Sequence, residues 1–206
     1  MNSLVGKIGA AVTGTAIVAF ALSMLWGTLF TSCLSSMFIA IGFLPFVSSM
    51  VAVNKDPEKK AAGLTAIAFS VVYAVIIFLV YFAECTTVRM NGALSEEALS
   101  IISFGRTGSL FFNYDLLGYG FMGLSTFLVA FTVEPKTKGD AILRMLLWIH
   151  GIFFFSGLIM PMFPLFTPGT SGAIGVLLLE FWCLYFLPIC ILGYKYFTKA
   201  KNHKTV

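Results

Sequence analysis

Charged side chains are scarce in this 206-residue sequence, where Asp, Glu, Lys and Arg together make up 11%. Soluble domains carry roughly 25%. From Ile8 to Asn54 there is no charged residue at all. Histidine occurs twice, and the four cysteines form no C-x-x-C pair, so neither a zinc ribbon nor covalent haem attachment is encoded. Nothing in the pattern calls for a metal or a cofactor. The net charge of +4 is modest, and anionic lipid headgroups beside basic loops account for it without nucleic acid.

What remains is apolar. Hydrophobic residues make up 59% of the chain, 22 residues are phenylalanine, and the mean hydropathy is +0.95. A water-soluble fold of this size could not hide that much apolar surface, so lipid must be part of the solvent. As one helix the charge-free run would extend ~70 Å, against a hydrocarbon core of ~30 Å. It must therefore fold back, with a turn near Thr28–Ser36. The sequence predicts an all-α integral membrane bundle of six transmembrane helices, at about 7–28, 33–53, 61–83, 109–133, 141–163 and 171–194, in a single domain. Pro45 is expected to kink the second. Lys7, the apolar run and Ala19-Phe20-Ala21 resemble a signal peptide. The run continues past them without pause, however, and an uncleaved first helix is expected.

Six spans sort the positive charges. Of the 13 Lys and Arg residues, all but Arg89 and Arg106 then fall on the side of the two termini. The positive-inside rule makes that side cytoplasmic.

Residues 118–123 read GYGFMG, which fits the dinucleotide fingerprint G-x-G-x-x-G. A Rossmann loop follows a buried strand and is answered by an acid about 20 residues on. Here no strand pattern precedes the glycines, and Glu134 comes far too early. Gly118, Gly120 and Gly123 instead suit close helix–helix packing within a membrane.

Ionisable residues inside spans are costly and tend to be functional. Asp115 lies in the fourth span, Glu180 in the sixth and Glu84 at the end of the third, all in the outer half. Asp115 and, more readily, Glu84 are placed to reach the headgroups, whereas Glu180 lies too deep for a short carboxylate stem to reach water. Tyr73, Tyr81 and Glu84 share a helix arc, as do Asp115, Tyr119 and Met122, and Glu180, Cys183 and Leu187. An outer-half polar pocket for a small solute, an ion or a proton follows as an expectation. Asp115 and Glu180 form its wall, Tyr119 is nearby, and Arg106 or Arg89 is the counter-charge. The alternative is a non-catalytic structural or regulatory subunit of a membrane assembly, or a homo-oligomer, using the glycine face. A remoter alternative is an intramembrane serine hydrolase with Ser125 and His150. That pairing faintly resembles rhomboid proteases, but Thr126 stands where their motif has glycine. Enzymatic activity is therefore the lesser expectation.

Cys33 and Cys85 both fall near the outer face, where a disulfide is one option, whereas Cys183 and Cys190 read as packing. The longest outer loop carries a short interfacial helix at about 95–103, capped by Ser95, with Glu96 and Glu97 at its positive end. The second outer loop, 163–170, is expected to fold over the bundle mouth.

The run TTVRMNGALSEEALSII, followed by SLFFNYDLLGYGFMGLSTFLVAF, resembles a group of small bacterial membrane proteins of unassigned function. The likeness extends more weakly to FWCLYFLPICIL. The resemblance implies a bacterial inner membrane and carries no activity, substrate or site residue.

Overall fold

A computed structural model describes residues 1–90, 92, 94–163 and 172–202, with side chains in the last helix over 175–199. Most of the second outer loop, 164–170, lies outside the described residues. The regular elements are α1 (Asn2–Leu25), α2 (Leu29–Val53), α3 (Lys60–Ala83), α4 (Glu96–Ile102), α5 (Leu110–Ala130), α6 (Lys138–His150), α7 (Ile152–Ile159) and α8 (Gly172–Asn202). Short 3₁₀ turns at Pro57–Lys59 and Met160–Met162 and a π turn at Glu84–Val88 extend them. Among the described residues no strand occurs.

Five helical stretches are long and apolar enough to cross a membrane: Asn2–Leu25, Leu29–Val53, Pro57–Val88, Lys138–Met162 and Gly175–Lys199. Helix α5 has 21 residues, so its ~31 Å would suffice in length. Asn113, Asp115 and its three glycines make it the polar member of the set. The outward faces are those of a lipid-embedded protein. Leu79 is 67% exposed and Leu184 73%, in company with Leu177, Phe82 and Phe181. Water-soluble monomers rarely leave such contiguous apolar faces bare.

The expected fold-back is a tight hairpin, but it lies at Trp26–Thr28, and Leu29–Ser36, expected in the turn, already belong to α2. Helix α1 closes in a Schellman motif, in which Thr28 N–H donates to Ser23 O and Gly27 N–H to Met24 O. Gly27 adopts φ +66°, which glycine tolerates without strain. The two helices then pack almost backbone to backbone. A β-carbon on Gly9 would lie 2.6 Å from Phe46 N, and one on Gly42 would lie 2.6 Å from Thr13 N.

Each helix packs on the next, α1 on α2, α2 on α3, α3 on α5 and α5 on α6 and α7, and α8 closes the ring onto α1 and α6. Hydrogen bonds tie the end that carries the termini. There Asn54 Nδ2 donates to Thr132 O at 2.7 Å, and Lys199 reaches Thr137 and Asp140. The opposite end, called distal below, carries the π turn and α4.

The expected fifth span is interrupted. At Gly151 the hydrogen bonds tighten to i→i−3, from Gly151 N to Trp148 O and from Phe154 N to Gly151 O. Gly151 lies hard against Phe127, where a β-carbon would come within 2.8 Å of the Phe127 β-carbon. Continuous hydrophobicity conceals such a break, because it follows from the neighbouring helix. The expected sixth span, α8, runs on to Asn202, past the expected 194.

Candidate functional site

Bulky rings fill the middle of the helix ring. Phe43 (α2) meets Tyr73 (α3) with centroids 5.5 Å apart, Tyr73 meets Tyr119 (α5) at 5.5 Å, and Tyr119 meets Trp182 (α8) at 5.2 Å. Trp182 stacks on Phe186 at 5.3 Å, and Phe186 returns to Phe43 at 6.2 Å. These five aromatics form a closed circuit across the bundle, mostly edge-to-face, the geometry ring quadrupoles favour. They make a floor between the two halves.

On the distal side of this floor sits Asp115, 6% exposed, about 8 Å along α5 from Leu110. Tyr81 Oη donates to its Oδ1 at 2.7 Å. One turn deeper, the Tyr119 hydroxyl faces those of Tyr73 and Ser36. None of these three has a formed hydrogen bond among the described residues, and all three oxygens are buried. A buried hydroxyl without a partner costs ~1–3 kcal/mol. The three hydroxyls face one another, so their convergence beneath a carboxylate makes a buried polar cluster. Ser36 escaped notice in the sequence because it stands in a charge-free helix with several other serines. Tyr73 and Tyr81 were visible as a helix arc.

The other candidate residues distribute around this cluster. Glu84, expected to reach the headgroups, is instead 5% exposed. The π turn carries it inward, where it accepts hydrogen bonds from Ser103 Oγ at 3.1 Å and from Phe104 N–H at 3.0 Å. It holds the segment after α4 onto the bundle. Arg106 does not face Asp115 but pairs with Glu96, and Arg89 lies over the Phe30 ring at 4.3 Å. The group beside Asp115 is thus a phenol, not a guanidinium. Glu180 is half-buried on α8, and its Oε1 is buried without a partner among the described residues. No hydrogen bond or ion pair joins it to Asp115 among them. The short helix begins as expected, with Ser95 Oγ accepting from Ala98 N–H at 3.1 Å. All four cysteines are free, Cys33 and Cys85 among them.

Ser125 and His150 are not brought together. Ser125 Oγ donates to Ala66 O on α3 at 2.8 Å. His150 is fully buried on the other side of the floor, where Trp182 Nε1–H donates to its Nε2 at 3.0 Å. An indole N–H can only donate, so Nε2 carries no hydrogen and Nδ1 donates to Thr126 Oγ1 at 2.8 Å. Thr126 passes its own hydrogen to Gly123 O. Every polar side-chain atom of Thr126, His150 and Trp182 is satisfied, and the relay ties α5, α6 and α8 together as an interhelical clamp. Thr126, beside the expected Ser125, is the residue that meets the histidine.

The GYGFMG glycines lie at helix crossings. Gly118 faces Ile76 and Ile77 of α3, Gly120 faces Gly157 of α7, and Gly123 faces His150 and Phe154. Two surface grooves, of about 320 and 380 Å³, lie along α5–α6 and α1–α8, and no residue of the polar cluster lines either. Among the described residues no metal-binding cluster of His, Cys, Asp and Glu occurs. Comparison of the chain with protein-family models, curated proteins and solved structures finds no match.

Proposed function

We propose that this chain is a six-span membrane protein that binds a small cation, the proton being the smallest, at Asp115 and conducts it across the bilayer. The observation that carries the reading is a buried carboxylate above three buried, converging hydroxyls, those of Tyr73, Tyr119 and Ser36. An acidic group in a hydrocarbon slab costs roughly 3 kcal/mol on insertion scales. Sequences that retain one usually use it. The aromatic rims around the cluster favour a positive guest. The floor of Phe43, Tyr73, Tyr119, Trp182 and Phe186 is then the barrier the cation must pass, and Glu180 a secondary acid on the α8 side. We place both termini in the cytoplasm, on the distribution of lysine and arginine. We propose the bacterial inner membrane on the resemblance of residues 86–102 and 109–131, and more weakly 181–192, to small bacterial membrane proteins.

The subunit reading has less to draw on. The glycine face it would use is consumed by α3 and α7 of the same chain.

The test is proton uptake by protein-reconstituted liposomes, driven by a potassium diffusion potential and reported by a pH-sensitive dye. Wild type is expected to acidify the lumen well above protein-free vesicles, Asp115→Asn to lose at least tenfold of that rate, and Glu180→Gln to lose less. Equal rates for wild type and Asp115→Asn would end the proposal.

A further inference from the structure

The groove between α1 and α8 has a form that the conduction reading does not use. It encloses about 380 Å³ and is walled by Ala10, Gly14 and Val18 on one side and Leu187, Cys190 and Ile191 on the other. Small residues on α1 create it: α1 and α8 come close at Gly14, where a β-carbon would lie 3.3 Å from that of Cys190, while Ala11 and Thr15 leave the outer flank open. At the end that carries the termini it finishes at Tyr194 and Lys195, and the Lys7 ammonium lies 5.9 Å from the Tyr194 ring centroid. Neither lysine forms an ion pair with a carboxylate among the described residues.

The length of this groove is informative. From Ala10 to Val18 the lining rises about 12 Å along α1, most of the ~15 Å that one leaflet contributes to the hydrocarbon core. Two cations without a carboxylate partner among the described residues stand at that end, with an apolar trough running from them along most of a leaflet's depth.

We infer that this groove is a binding site for one anionic phospholipid, its phosphate held between Lys7 and Lys195 and an acyl chain lying along Ala10–Val18. Bulk lipid tails are as apolar as the groove wall, so the trough supplies shape but little discrimination. Selectivity rests on the headgroup, at about fivefold in affinity per lysine near the surface. Together the two lysines give a preference for an anionic over a zwitterionic lipid of about 25-fold.

The measurement is native mass spectrometry of the detergent-purified protein, titrated with phosphatidylglycerol or phosphatidylcholine, with circular dichroism to verify that each variant is folded. Wild type is expected to take up one phosphatidylglycerol with the preference stated. Lys7→Gln/Lys195→Gln should abolish the preference while leaving residual binding of both lipids. Ala11→Phe, which fills the trough from its exposed flank, should weaken both. Lys55→Gln/Lys60→Gln removes the same charge from exposed positions outside the groove and should change neither. A preference that survives loss of Lys7 and Lys195, one that Lys55→Gln/Lys60→Gln removes equally, or binding unaffected by Ala11→Phe would overturn the site.

Discussion

Placing a single methyl group on Gly157 should separate two helices. A β-carbon there would lie 2.9 Å from Gly120 Cα and from Gly120 N, and closer still to the Leu116 carbonyl oxygen. Relaxed carbon contacts need ~3.5–4.0 Å, so α5 and α7 must part by up to about 1 Å. All three obstructing atoms belong to the backbone, so no rotamer change relieves them. Overpacking of this kind costs ~1–3 kcal/mol, and the better helix propensity of alanine recovers up to ~1 kcal/mol. A net loss of roughly 1–2 kcal/mol is expected for Gly157→Ala. Gly118→Ala should lose less, because it meets only the side-chain ends of Ile76 and Ile77 at 3.2 and 3.3 Å. Gly175→Ala has nothing within 4 Å and should be neutral or slightly stabilising. The assay is unfolding by sodium dodecyl sulfate in mixed micelles, followed by helical circular dichroism. Wild-type stability for Gly157→Ala, or the same loss for Gly175→Ala, would refute the close α5–α7 crossing. It would also reopen the question of what GYGFMG is for.

Two further outcomes can be checked directly. Asp56 caps the turn before α3 outside the spans, and the Lys59 side chain, followed by the Glu58 N–H, holds its carboxyl below the ordinary aspartate value. A depressed folded value means that the cap contributes at neutral pH and is lost as acid protonates Asp56. Its NMR titration midpoint should lie below that of a free aspartate and rise in Lys59→Gln; an unchanged midpoint in that variant would contradict the assigned cause. The four buried thiols should resist maleimide in the folded protein and all react once sodium dodecyl sulfate unfolds it, without any reductant. Two reactive thiols instead of four would reveal a disulfide.

Local chemistry made some of this molecule legible in its sequence. A charge-free run twice the thickness of the hydrocarbon core had to turn, although the turn came at Gly27, just ahead of the expected Thr28–Ser36. Ser95 followed by two acids had to begin a helix. Asp115 stood out because carboxylates are rare among apolar neighbours. Partnerships across the bundle were not legible. Glu84 takes its hydrogen bonds from Ser103 and Phe104, about twenty residues later, and only the π turn aims it there. Arg106 had an acid closer than Asp115 in Glu96, across a loop whose path no periodicity reveals. The hydropathy that announces a span also hides its interruption at Gly151, since the break lies in hydrogen-bond spacing and not in composition. Nearness in depth suggested Ser125 for His150, but the angular step of one residue gave the contact to Thr126.

Helix α8 is longer than any bilayer requires. Its 31 residues span ~46 Å, about 16 Å more than the ~30 Å hydrocarbon, so the helix must tilt or project beyond it. Its C-terminal end is fastened laterally, because Lys199 reaches Thr137 and Asp140 at the start of α6. Asp140 is itself the inner half of the α6 capping box. Rocking that end therefore pulls on the first turn of α6, and through thirteen residues of helix on His150 and the clamp that braces Trp182.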